Sequence, residues 1–229
     1  MTDVRKALEA EREMEREFVA KARESETAPK GWPAALVMFH VCMWRERMCN
    51  ALTDVREERA YTPPPENMDE FNDAELAGGL GVSLVDIAER SDVLIASLIK
   101  LWEELGEQPI KWYANNTTTL ALLGGSYFHP RSHIVTYLTE NGDPAGAQRL
   151  LEDAVSDMRE VAAPQRTLGV ALYNLACGHA TQDRVDEALE LLVEAFPMRP
   201  DLKEAAPKDP DLEALYDNPA FKALTSLSP

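Results

Sequence analysis

One segment constrains the fold more than any other. Between Leu84 and Leu105 the residues Leu84, Ile87, Ser91, Leu94, Leu98, Leu101 and Leu105 recur by alternating threes and fours. That spacing aligns them along one side of an α-helix, and a stripe of this length is the seam of a helical bundle. Ser83 and Asp86 read as a capping box at its start, and Gly106 as its C-terminal stop. Long stretches elsewhere lack the alternating β-branched pattern that a sheet needs, while Ala, Leu and Glu are abundant. The expected fold is therefore all-α.

Three further helices complete the bundle. Val4, Leu8, Met14, Phe18 and Ala22 fall on one face of a helix over 4–22, and Ser25–Lys30 forms a polar break. A helix over 33–59 opens on Pro33, a residue suited to a first turn, and carries Leu36, Val37, His40, Trp44, Met48 and Ala51 on one stripe. The prolines of YTPPPE stop it. The last helix runs over 118–140 and ends at Asn141-Gly142; Pro130 predicts a kink or irregular turn near Ser126.

After Asp143 the chain changes character. DPAGAQRLLEDAV and DRVDEALELLVEAF match at an offset that sets Ala147, Leu151 and Ala154 against Ala188, Leu192 and Ala195. The string YNLACGHATQDRVDEALELLVEAFPMRPDL resembles a TPR repeat, with Leu175, Ala176, Ala188, Ala195 and Pro200 at its packing and terminating positions. DPDLEALYDNPAFKAL resembles the closing segment that seals such a stack. The expected division is a bundle over 1–141 and a TPR-like helical extension with a C-terminal cap over 142–229.

Net charge is −17, which disfavours phosphate backbones and anionic lipid surfaces. No nucleic-acid or membrane partner is expected. The charged N-terminus is no signal peptide, and no apolar run approaches the ~20 residues of a membrane span, so the expected location is the cytoplasm. Three cysteines without CxxC spacing argue against a disulfide framework.

The chemistry lies with the histidines. His129 and His133 are four residues apart, so on a helix their imidazoles share a face and can converge on one metal. His40 sits inside the apolar stripe of the 33–59 helix, where its ring nitrogens need partners. Two solutions are open: a hydrogen bond to a neighbour, or a metal shared with His129 and His133. Gly124, Gly125 and Ser126 lie one turn earlier. Their small size permits either a substrate-accepting cleft, with the Ser126 carbonyl left free by Pro130, or merely close helix packing. Tyr127 and Tyr137 are either proton donors at such a metal or interface residues. Trp44 and Trp102 read as core, Cys42 and Cys49 as buried fillers, and Cys177 and His179 as packing in the repeat.

GWPAALVMFHVCMWRERM and GGSYFHPRSHIVTYLTENGD together resemble the DinB-like family, in which a histidine precedes a tryptophan by four positions and an HxxxH closes the bundle. The resemblance covers about residues 1–141. It implies a four-helix bundle with His40, His129 and His133 as ligands of a divalent metal. Imidazole suits Zn²⁺ or Ni²⁺, and three such ligands leave coordination positions open, the catalytic arrangement. The family includes thiol-dependent transferases and isomerases, which implies a metal-dependent transferase or hydrolase of small molecules with a low-molecular-weight thiol as cosubstrate. A homodimer is also implied. The competing expectation is a non-enzymatic scaffold with a structural or vestigial metal, binding a protein partner through the TPR-like region.

Overall fold

Helix dominates the computed structural model, which describes residues 2–24 and 29–226. Of the polar break expected from Ser25, residues 25–28 lie outside the described residues. The chain divides into two units, Thr2–Asp143 and Pro144–Pro229. Both are built from helices, apart from one two-stranded hairpin in the first, so the fold is all-α.

The first unit contains α1 (Val4–Glu24), α2 (Ala34–Arg56), α3 (Met68–Leu76), α4 (Leu84–Leu105), β1 (Pro109–Trp112), β2 (Asn115–Thr117), α5 (Thr118–Leu122) and α6 (His129–Glu140). A π-helical turn, Leu123–Phe128, joins α5 to α6. Helices α1 and α2 both pack on α4, and α6 packs on α2. Leu8, Leu52, Leu98 and Leu122 are fully buried between them. Each contributes about 1.5–3 kcal/mol relative to exposure.

Ser83 caps α4 through a hydrogen bond from the Asp86 amide, and Gly106 ends it at a φ of 62°. The buried seam is Ile87, Ser91, Ile95, Leu98 and Leu101. Ile95 takes the place expected for Leu94, because a straight helix drifts off a strict seven-residue repeat. Helix α2 ends at Arg56, three residues short of the expected Arg59. The stop is the left-handed Glu58, at a φ of 56°, ahead of the prolines.

Two elements carry no strong sequence signal. Helix α3 starts on an Asn67 cap and has no fully buried residue. The β1–β2 hairpin pairs Trp112 with Asn115 across a two-residue turn whose first residue, Tyr113, has a φ of 53°. Asn-Gly or Asp-Gly would announce such a turn; Tyr-Ala does not.

The irregularity expected near Ser126 is the π turn itself. Pro130 lacks the amide that an α-helix would aim at the Ser126 carbonyl. The sequence left that carbonyl free, but in the structure it is not: the Arg45 guanidinium donates to it at 2.9 Å.

In the second unit, α7 (Pro144–Glu160), α8 (Gln165–Ala180) and α9 (Val185–Met198) form consecutive helical hairpins. Ala147 and Ala154 are buried on α7, and Ala188, Leu192 and Ala195 on α9. Helix α10 (Pro200–Ala205), two 3₁₀ turns and α11 (Pro219–Thr225) follow. Leu212, Leu215 and Phe221 of this tail are buried, and the Tyr173 hydroxyl donates to Asp209 at 2.7 Å.

Candidate metal centre

His40 lies mid-way along α2, and His129 and His133 lie on the first turns of α6. Their Nε2 atoms converge. His40 and His133 stand 3.0 and 3.1 Å from His129 Nε2, and the three ligand atoms lie within 4.8 Å of one another. An imidazole nitrogen has one in-plane lone pair or one N–H, so His129 Nε2 cannot serve two neighbours well by hydrogen bonding alone. A single cation at the centre serves all three. Nitrogens bound at about 2.1 Å to one ion stand roughly 3.0 Å apart at a right angle and 3.4 Å at the tetrahedral angle, so the spacing fits a shared ion. The group can therefore hold a metal ion, and among the described residues no carboxylate or thiol joins it.

The rings are neutral, as ligands must be. Burial, then His133, hold His40 down at about 4. Burial lowers His129 well below its ordinary value, with His133, His40 and Arg45 adding to the effect, and burial lowers His133. Aromatic packing fixes their orientation. Trp32 stacks on His133 at 5.6 Å with 9° between the planes and meets His40 edge-on at 5.4 Å. Trp44 meets His40 and His129 edge-on. His40 Nδ1 is buried with no hydrogen-bond partner among the described residues, so ring packing rather than an outer hydrogen bond orients this imidazole.

Buried charges anchor the helices that carry the triad. Arg131 lies between the two histidines in sequence but points to α1, donating to Glu11 at 2.7 Å. Burial pushes the Glu11 carboxyl up, while Arg131 pulls it the other way. Arg45, one turn beyond His40, reaches Glu15 and Ser91 at 2.7 Å each, and Ser91 donates to Glu15. Ser91 thus occupies a seam position because it completes a polar network.

Two cavities flank the triad. One of about 250 Å³ meets His129 and is lined by Trp44, Met48, Met68, Asn72, Trp112, Tyr113, Asn115, Gly124 and Gly125. The adjacent glycines therefore open space beside the centre. A Cβ on Gly124 would stand 3.1 Å from Asn115 Nδ2. The second cavity, about 330 Å³, meets His133 and is lined by Gly31, Trp32, Val37, Thr136, Tyr137 and Glu140.

Tyr137 thus borders the His133 cavity, with its ring against Phe18. Tyr127 is fully buried; its ring packs on Phe128 and under the Arg131 guanidinium. Trp44 is a wall of the site as well as core, donating to Asn72 at 3.1 Å, whereas Trp102 packs on the core. Burial pushes the Cys42 and Cys49 thiols up to about 12, which leaves neither a nucleophile at neutral pH. Cys177, near Asp209 and Asp211, is raised by burial and by those carboxylates, making it a poor ligand. His179 is buried and contacts Gln148.

Trp32, Trp112, Tyr113, Asn72, Asn115 and Arg45 escaped sequence reasoning as site residues. They are ordinary residue types: Trp112, Tyr113, Asn72 and Asn115 depend on α3 and the hairpin, and Trp32 and Arg45 on partners distant in sequence. No helix among the described residues is long and apolar enough to cross a membrane. Comparison with protein-family models, curated proteins and solved structures finds no match to this chain.

Proposed function

We propose that the chain is a DinB-like, metal-dependent enzyme that transfers or hydrolyses a group on a small molecule, with a low-molecular-weight thiol as cosubstrate. The observation that carries this reading is the triad: three neutral imidazoles aimed at one point, no fourth protein ligand among the described residues, and a cavity on either side. A structural site is ordinarily closed by four protein ligands; a site with open positions suits substrate. Zn²⁺ or Ni²⁺, held by His40, His129 and His133, supplies Lewis acidity at those positions. The protein supplies the rest. Trp32 and Trp44 hold the imidazoles in place, and the Gly124-Gly125 pair leaves room beside His129. Tyr137 and Glu140 place a phenol and a carboxylate beside His133, where they can bind or exchange a proton with a bound molecule.

The second reading is a scaffold that binds a protein partner through TPR-like hairpins. Its support is the paired helices α7–α9, with Val193 left 58% exposed on α9. The two readings separate in one experiment. Metal content of the purified full chain is measured beside that of His133→Ala, with circular dichroism for both. One equivalent of metal in the parent and loss of it with the fold intact favour the enzyme. Outer partners of ligands alone are worth about 10–100-fold in affinity, so loss of a ligand should exceed that. Loss of fold together with metal favours the scaffold, and absence of metal from the parent removes the enzyme reading.

A further inference from the structure

The cavity beside His129 has a definite chemical character. Trp44, Met48, Met68 and Trp112 line it together with the neutral Asn72, Tyr113, Asn115 and His129, and no Lys, Arg, Asp or Glu does. With no metal on the neighbouring histidines, a charged ligand would lose its hydration there with no opposite charge to meet, a cost that excludes ions from such a space. Aromatic faces and adaptable methionines suit a flat ring. Size agrees: an apolar cavity of ~150 Å³ accommodates benzene, and this one is about 250 Å³, which leaves room for a substituent on the ring.

The polar groups specify more. Trp112 is 4% exposed and lines the cavity, with its indole Nε1 4.0 Å from where a Cβ on Gly125, another lining residue, would stand. An indole N–H on a cavity wall can only donate, so it favours an acceptor on whatever fills the space. Asn72 gives a second donor. The Trp44 indole can only donate, so the atom it meets at 3.1 Å is the Asn72 carbonyl oxygen, and the Asn72 NH₂ remains. The cavity thus offers apolar walls and the Trp112 and Asn72 donors, with the Tyr113 phenol and the Asn115 amide also lining it.

We infer that this cavity binds an uncharged, flat, ring-bearing molecule that presents a hydrogen-bond acceptor, the simplest case being an aromatic amide or ketone. The inference rests on the metal-centre reading only in making this molecule the one held beside the reacting centre. Trp112 and Asn72 receive the acceptor, and the ring lies between the tryptophans and methionines.

The test uses the metal-free full chain and ligand-observed NMR, so that a carboxylate has no metal to bind. Benzamide and acetophenone are compared with benzoate and benzylammonium. The neutral pair should bind with a Kd of about 1 mM, appropriate to ligands of this size, and the charged pair at least about tenfold more weakly. Trp112→Phe keeps an aromatic ring, though a smaller one, and removes the donor, and should weaken benzamide about fivefold. Gly125→Leu places a side chain towards Met48 and Trp112 and should abolish binding; circular dichroism checks its fold, and Trp112→Phe decides the matter if it misfolds. Equal binding of the charged pair, binding unaltered in Trp112→Phe, or no binding of the neutral pair each overturns the inference. Metal content of the purified full chain, measured separately, separates this result from the metal reading. A chain that holds no metal yet binds benzamide through Trp112 sustains the cavity inference and removes the enzyme. A chain that holds metal and ignores benzamide does the reverse.

Discussion

The fully buried Arg45 guanidinium donates to the Ser126 carbonyl at 2.9 Å, so that a charge on α2 closes the gap that Pro130 opens before α6. The same guanidinium meets the buried Glu15 carboxylate at 2.7 Å. Helices α1 and α2 and the π turn are thereby tied at one point, one turn from His40. Arg45→Met should strand both the carboxylate and the carbonyl and cost about 3–5 kcal/mol, measured by urea unfolding. The double variant Arg45→Met/Glu15→Met should recover part of that loss, because removing both ends of a buried pair is far cheaper than removing one. A single variant as stable as the parent would show the network to be energetically idle.

The triad gives the metal-free protein a pH dependence of definite sign. His40 is held down at about 4, and His129 and His133 are also lowered, whereas an unfolded imidazole titrates near 6.5. Between those values the unfolded chain binds protons that the folded chain refuses. The stability owed to these neutral rings is complete above about 6.5 and falls as pH drops towards about 4. Thermal midpoints of metal-free protein across this window should fall with pH, and replacing all three histidines with glutamine should flatten the curve. An unchanged slope in that variant would locate the dependence elsewhere.

Gly169 offers a test in the second unit, where two effects oppose. It sits inside α8, and an added Cβ would lie 2.9 Å from Met198 Cβ and 2.8 Å from Arg199 Cγ. Alanine is the better helix former by about 1 kcal/mol, but overpacking costs about 1–3 kcal/mol. Met198 Cβ is fixed by its backbone and cannot swing aside, so the clash wins. Gly169→Ala is expected to lower stability by about 1 kcal/mol, read by denaturant titration. A stabilised variant would mean that α8 and α9 part easily.

Much of this was legible in the sequence because helices α1, α2 and α4 declare themselves by period. Ser83 and Gly106 carry side-chain and backbone signals that need no partner, and both ends of α4 fall where they indicate. The three histidines stood out because HxxxH is local and His40 interrupts an apolar stripe. What was hidden depends on neighbours. Glu11, Glu15, Arg45 and Arg131 look like solvated charges until the helices carrying them are packed together, since Glu11 and Arg131 are 120 residues apart. Glu58 and Tyr113 end or turn the chain in left-handed conformations without glycine, so nothing in their identity marks the position. Helix α3 has no buried stripe to give it a period.

Helix α3 borders the His129 cavity through Met68 and Asn72, but it is attached chiefly by the Asn72–Trp44 hydrogen bond and the contacts of Phe71 with Trp44 and Arg47. Its removal from the bundle exposes little apolar surface, so it should open for far less free energy than global unfolding. In native-state hydrogen exchange, the amides of Phe71–Leu76 should exchange orders of magnitude faster than those of Val41–Leu52 in α2, with a rate insensitive to mutations that destabilise the core. The cavity would then exchange its contents by a local, subglobal opening while the histidines on α2 and α6 stay protected and in register.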